Sequence, residues 1–269
     1  MWGHWRGRTV PSLAADLCLA LDRVSFASSL GLDPDPWQER LLRSTSPRVL
    51  LNCSRQSGKS TMSGVMALHR ALYFPGSLVL CLAPSERQSK ELFAKVSDSY
   101  RRLRGTPDGT PAPGKAPWAS DRKLGMHLPN GSRIEALPGS EKTVRGFSGT
   151  SLLIVDEAAR VDDELYYAVR PMLAVSGGSL MMLTTPYGKR GVFFEEWTSG
   201  REWDRYEVSA AECPRISEEF LEEERAALPT YIYRQEYECS FEDTEDQIFT
   251  HDMVQAAVTP DVTPLFGGG

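Results

Sequence analysis

The chain has 269 residues, of which 41% are hydrophobic and 25% charged, with a formal net charge of -6. That balance suits one large folded domain, alone or with a small appendage, and excludes a fibrous or mainly disordered chain. The acidic sum also stands against a nucleic-acid binder, which ordinarily shows a basic surplus.

No apolar run reaches the ~18 residues that a membrane helix needs. Met1 to Val10 mixes Trp2, His4, Arg6 and Arg8 and has no apolar signal core. Five scattered cysteines form no CxxC pair, so neither a zinc site nor a disulfide framework is expected, and a reduced, cytosolic setting is the default. Arg greatly outnumbers Lys, a bias that suits bidentate phosphate contacts and that genomic base composition explains equally well.

Leu13 to Leu30 reads as one helix, from apolar residues at helical spacing. Asp33-Pro34-Asp35-Pro36 is a stop, and Trp37 to Arg43 a short second helix. Val49 to Cys53 reads as a buried strand, Ser60 to Tyr73 as a helix, Leu78 to Leu82 as a strand and Glu86 to about Leu103 as a polar helix. Gly105 to Pro117 is a loop. Met126 to Leu137 reads as a hairpin turning at Asn130-Gly131. Ser151 to Val155, Leu180 to Leu183 and Arg205 to Ser209 are further strands. Buried strands alternating with helices predict a mainly parallel, doubly wound α/β sheet. Residues 211–250 carry 12 acidic residues against three Arg and read as a small helical subdomain, with one helix over Ile216 to Leu228 and another from Tyr231. The expected division is a core over 1–210, a helical subdomain over 211–250 and a linker over 251–269.

The strongest local signal is Cys53-Ser54-Arg55-Gln56-Ser57-Gly58-Lys59-Ser60, followed by Thr61. It fits the P-loop pattern GxxxxGK[ST] between a strand and a helix, except that Cys53 replaces the first glycine. Successive backbone N–H groups and the helix N-terminus make an anion cradle. Lys59 would reach the β- and γ-phosphates of ATP, and the Ser60 hydroxyl would ligate Mg2+. Leu152-Leu153-Ile154-Val155-Asp156-Glu157 is an apolar strand ending in an acid pair, the Walker B form. Asp156 would hold Mg2+, and Glu157 would orient and deprotonate the attacking water. The competing reading of the acid pair is a helix first turn. Gln38, in Asp35-Pro36-Trp37-Gln38, either reads the adenine edge or is a surface residue on a capped helix. Thr184-Thr185-Pro186 either senses the γ-phosphate and couples its loss to motion, or simply ends a strand.

In combination these segments resemble the N-terminal ATPase domain of the large terminase subunit of tailed bacteriophages. The resemblance rests on SRQSGKS, LLIVDEAA, TTP, RGFSG, DPWQ and YRQEYECSF, and spans about residues 35–245. It implies a P-loop NTPase of the additional-strand, catalytic-glutamate type with a helical lid, which drives double-stranded DNA into a procapsid. It assigns phosphate and magnesium binding to Lys59 and Ser60, metal binding to Asp156, catalysis to Glu157, adenine contact to Gln38 and coupling to Thr184 and Thr185. Arg145, in Val144-Arg145-Gly146-Phe147, takes the place of an arginine finger offered to a neighbouring subunit. Arg55 is a phosphate-touching alternative in cis. A homo-oligomeric ring, a pentamer, on the portal is implied, with the small terminase subunit as partner and the host cytoplasm as location.

The family's full-length members continue into a nuclease. This chain stops at Gly269, where a linker would begin, so an ATPase domain cut from a longer protein and lacking nuclease activity is expected. Arg101, Arg102 and Arg104 form the densest basic cluster and either contact DNA phosphates or form a solvated helix end favoured by the negative C-terminal dipole. A helicase-like P-loop translocase is the competing enzyme class, against which only one RecA-like core is found. A non-catalytic nucleotide-binding module is a third class, opposed by the intact Lys59, Asp156 and Glu157. Because the acid concentrates in 211–250, the remaining core is mildly basic, and the whole-chain charge does not exclude a DNA translocase.

Overall fold

We describe a computed structural model, which covers residues 13–103, 124–138 and 146–243, together with Val144, Met253 and Ala257. The expected linker over 251–269 lies almost wholly outside the described residues, as do Arg104 and Arg145.

The chain opens with α1 (Leu13–Leu21) and α2 (Arg23–Ser29), which correct the single helix expected over Leu13 to Leu30. The break falls at Asp22. Its carboxylate accepts from the backbone N–H of Val24 and Ser25 at 3.1 Å each, capping α2 and ending α1. Then come α3 (Pro36–Arg43), β1 (Arg48–Cys53), α4 (Lys59–Tyr73), β2 (Leu78–Ala83) and α5 (Glu86–Leu103). A hairpin of β3 (Gly125–His127) and β4 (Arg133–Pro138) precedes β5 (Thr150–Asp156). The chain continues through α6 (Asp163–Ala174), β6 (Ser179–Thr184), α7 (Gly191–Thr198), β7 (Asp204–Val208), α8 (Glu218–Ala227) and α9 (Thr230–Tyr237). Helices α6 and α7 have no counterpart in the expected elements. The apolar spacing of Leu165, Tyr166, Val169, Met172 and Leu173 was visible, but Pro171 sits inside that run and reads as a breaker.

The strands form one seven-stranded sheet in the order β3-β4-β2-β5-β6-β1-β7. Every pairing is parallel except the hairpin β3–β4. Side chains alternate across it with period two. Val49, Leu51, Val79, Cys81, Leu152, Ile154, Met181 and Leu183 join the core that contains residues of α2 to α5. Leu50, Leu80, Leu82, Leu153, Val155, Leu180 and Met182 face the second core, with α6 and α7. Burial on both faces is why β1, β2 and β5 read as continuous apolar runs. Gly64 lets α4 meet α5 closely, since a Cβ there would lie 3.2 Å from the Lys95 backbone. No helix among the described residues is long and apolar enough to cross a membrane.

His69 of α4 ties α2 to this frame. It is 4% exposed, its Nε2 lies 3.1 Å from the Leu19 carbonyl, and its ring meets Phe26 edge-on at 5.2 Å. Burial first, and then the charge of Arg23, push its pKa down to about 4 from 6.5. The unfolded chain therefore takes up this proton more readily. The contribution to stability is complete above pH 6.5 and is lost as pH falls through 4, on the order of 2–3 kcal/mol. By urea unfolding, the stability difference between wild type and His69→Phe is expected to grow from pH 4.5 to pH 7.5 by this amount. An unchanged pH slope in His69→Phe would contradict the assignment.

Candidate active site

The strand order decides where the chemistry gathers. β6 lies between β1, which feeds the P-loop, and β5, which ends in Asp156. Because all three strands are parallel, their C-terminal ends open on one edge of the sheet. The P-loop, Asp156-Glu157 and Thr184-Thr185 thus come together there, although Ser60 and Asp156 are 96 residues apart.

The P-loop backbone turns through left-handed conformations at Gln56 (φ 59) and Gly58 (φ 95). Its positive φ favours glycine at Gly58, and a Cβ there would lie 2.7 Å from Gln38 Nε2 and displace that amide. Cys53 is not among the positive-φ residues, so the missing first glycine leaves the backbone unstrained. The Cys53 side chain is fully buried, and burial pushes its thiol far above the ordinary range, which makes it an inert apolar filler.

Lys59 is 7% exposed, and its Nζ donates to Thr185 Oγ1 at 2.9 Å. The same Nζ lies 3.8 Å from Glu157 Oε1. Ser60 Oγ donates to Asp156 Oδ2 at 3.3 Å, and Asp156 Oδ1 accepts from the Glu157 N–H. Burial, and then the charge of Glu157, push the Asp156 carboxyl up to about 6, against the pull of Lys59. Glu157 itself sits at φ 51, before a 3-10 turn over Ala158–Arg160. Such a strained non-glycine backbone recurs at functional sites. Thr184 Oγ1 donates to the Thr185 carbonyl and accepts from Ala159 N–H. The site thus brings together Lys59, Ser60, Asp156, Glu157, Thr184 and Thr185.

The P-loop is also held from outside. Ser54 N–H donates to Val208 and Arg55 N–H to the Glu236 carbonyl. The exposed Arg55 guanidinium pairs with the Glu236 carboxylate rather than standing free. Asn52 Nδ2 donates to the Cys239 carbonyl at 2.9 Å. Gln38 is 3% exposed and not on the surface. Its Oε1 accepts from Asp35 N–H and its Nε2 donates to the Ser57 carbonyl. Each end of the amide thus makes one bond within the protein, which leaves one N–H and one oxygen lone pair for a further contact. Arg215 grips Asp35 bidentately, at 2.8 and 2.6 Å, and also donates to the Ser57 carbonyl. Neither Arg215 nor Glu236 was a sequence candidate, because their partners lie 180 and 181 residues away; the segment YRQEYECSF contains Glu236 but gives it no role.

The donor set fits Mg2+ and a nucleotide. One carboxylate and one hydroxyl are hard oxygen ligands, leaving positions that phosphate oxygens and water complete. The Ser54 and Ser57 hydroxyls are buried within the loop, beside the Cys213 and Cys53 thiols. Thr61 is half-buried on the first turn of α4, and Gln56 is exposed.

The candidate DNA contacts lie elsewhere. α5 begins at the active edge after β2 and runs back, so Arg101 and Arg102 reach the opposite edge of the sheet. Arg101 pairs with Asp98 at 2.8 Å and Arg102 is exposed.

A P-loop entering a helix, and an acid-tipped strand separated from it by one additional strand, define a P-loop NTPase fold. The chain belongs to the large terminase subunit family, whose T4likevirus-type N-terminal model matches residues 50–256. It is 24% identical to the terminase large subunit of Thermus virus P23-45, over 84% of this chain and 52% of that protein. It therefore spans about half the length of the curated relative it matches. The fold is similar to the large terminase ATPase domain of Thermus phage P74-26, with a TM-score of 0.67 and 24% identity, covering 87% of this chain and all of that one. It is also similar to the large terminase of bacteriophage HK97, with a TM-score of 0.60 and 16% identity over 78% of this chain and 51% of that one.

Proposed function

We propose that this chain is the ATP-hydrolysing motor domain of a phage terminase, driving double-stranded DNA into a procapsid. The observation that carries the reading is the joining of Lys59, Ser60, Asp156, Glu157 and Thr185 in one hydrogen-bonded and ion-paired cluster beside the P-loop. Lys59 and the backbone N–H groups of 56–60 bind the phosphates, and Ser60 and Asp156 hold the metal. Mg2+, when bound, neutralises charge on the phosphate oxygens. Glu157 accepts the proton of the attacking water and aims it at the γ-phosphate. Lys59 leaves Thr185 for the phosphate, so occupancy of the site is felt at the end of β6. That is the basis for coupling through Thr184 and Thr185. The helices of 211–250 act as a lid, tied to the loop through Arg215, Arg55 and Glu236.

In the same reading, Arg145 serves a neighbouring subunit of a homo-oligomeric ring at the portal vertex, assembled with the small terminase subunit in the host cytoplasm. Arg101, Arg102 and Arg104 contact DNA phosphates on the far edge of the core, and the acidic 211–250 segment faces away from DNA. The trans role has a direct test in steady-state turnover. Arg145→Ala is expected to bind ATP nearly normally and to lose hydrolysis by about 10³-fold or more. Mixing it with Lys59→Ala is expected to restore part of the activity at mixed interfaces. No recovery in the mixture would overturn the trans assignment.

A further inference from the structure

Each oxygen of the Glu157 carboxylate has its own cation. Lys59 Nζ stands 3.8 Å from Oε1, and Arg160 Nε stands 4.0 Å from Oε2. Both cations rest on the same short stretch of chain leaving β6. Lys59 donates to Thr185, and the Arg160 guanidinium lies over the Tyr187 ring, 4.0 Å from its centroid. The 3-10 turn between them is pinned to that stretch as well, since Ala159 N–H donates to Thr184 Oγ1 at 3.3 Å. Tyr187 is half-buried, and Arg190 approaches its ring from 5.8 Å.

We propose that Arg160 is a positioning residue for Glu157, and that the face of Tyr187 is its seat. The inference rests on the reading of Glu157 as the base. Binding of phosphate draws the Lys59 charge away from Oε1, and Arg160 is then the cation that remains on the carboxylate. A guanidinium suits this work. Its flat face stacks on the ring while its N–H edge stays in plane for the carboxylate, a pairing that a lysine ammonium cannot make in both directions at once. The Arg160 side chain is 34% exposed, so its attraction for Glu157 is screened by water. Its effect is on where the carboxylate points rather than on how tightly nucleotide binds. Tyr187 thereby extends the coupling stretch by two residues. A shift of β6 that moves Thr185 also moves the seat of Arg160, and so the aim of the base.

The test is steady-state ATP turnover of the full chain with Mg2+, alongside nucleotide affinity and a thermal melt. Arg160→Gln and Tyr187→Leu are expected to lower kcat by about ten- to a hundredfold through misplacement of the base. KM for ATP, affinity and melting temperature should stay close to wild type. Tyr187→Phe keeps the ring face and is expected to keep the rate, whereas Arg160→Lys loses the stacked geometry and should resemble Arg160→Gln. The double variant Arg160→Gln/Tyr187→Leu should be little slower than either single one, because both remove the same device. Loss in Tyr187→Phe equal to that in Tyr187→Leu would overturn the seat. An effect of Arg160→Gln on KM with kcat preserved, or full activity in it, would overturn the positioning role. Glu157→Gln separates the two claims. If it retains turnover, the reading of the base fails. If it is inactive while Arg160→Gln is fully active, only the present inference fails.

Discussion

Glu157→Gln is expected to leave Mg-nucleotide binding close to wild type and to lower the rate of ATP hydrolysis by about 10²–10⁴-fold. The substitution preserves shape and removes the proton acceptor. The carboxylate stands 3.8 Å from Lys59 Nζ at the mouth of the P-loop, near enough to serve a water facing the γ-phosphate. Its side chain is 24% exposed, so water has access from one side. The phosphate contacts belong to Lys59, Ser60 and the loop backbone, which this change does not touch. Single-turnover hydrolysis and nucleotide titration measure the two effects separately. Undiminished hydrolysis would show that another group takes the proton.

Asp156→Asn is expected to move stability and activity in opposite directions. The carboxyl of Asp156 is 7% exposed, and burial together with the Glu157 charge raises its pKa from 3.8 to about 6. A raised native pKa means that the folded chain binds this proton more tightly than the unfolded chain does. Stability from this group is therefore complete below about pH 4 and is lost as pH rises through 6, on the order of 2 kcal/mol. Asparagine removes that loss. Without ligand, the variant is expected to melt several degrees above wild type at pH 8 and level with it at pH 4, at ~2–4 °C per kcal/mol for a chain of this size. Its Mg-dependent turnover should fall by at least about 10²-fold, since the metal's carboxylate ligand is gone. Active sites commonly hold such trade-offs. A variant that melts below wild type at pH 8 would contradict the electrostatic argument. His69 has the reverse sign over nearly the same interval, so the two groups largely offset each other in the wild type. Each single variant exposes the slope of the other.

The division between what was legible and what was not follows the range of the forces. Strand positions were readable because burial on both faces demands continuous apolar runs such as Leu50-Leu51 and Leu152 to Val155. The turn at Asn130-Gly131 was readable because Gly131 adopts φ 84, which few other residues accept. The single helix expected over Leu13 to Leu30 failed on a local signal that apolar spacing outweighed, the capping carboxylate of Asp22. Arg160 was within reach of sequence reasoning, three residues after Glu157 on a turn. Its ring partner was not, because Tyr187 arrives from the stretch of chain that leaves β6.

The sequence by itself determined the chemical parts. Gly58-Lys59-Ser60 on a strand-to-helix turn, and Asp156-Glu157 on a buried strand, are dictated by backbone conformation and periodicity over a few residues. Only the tertiary structure decided how those parts are held. It placed β6 between β1 and β5 and set Thr185 against Lys59. It also engaged both ends of the Gln38 amide and paired Arg55 with Glu236 and Arg215 with Asp35. The Lys59–Thr185, Arg55–Glu236 and Arg215–Asp35 contacts join residues more than a hundred positions apart. No local propensity encodes them. They exist because the parallel sheet carries the ends of its central strands to one edge, where charged and polar groups from distant parts of the chain meet.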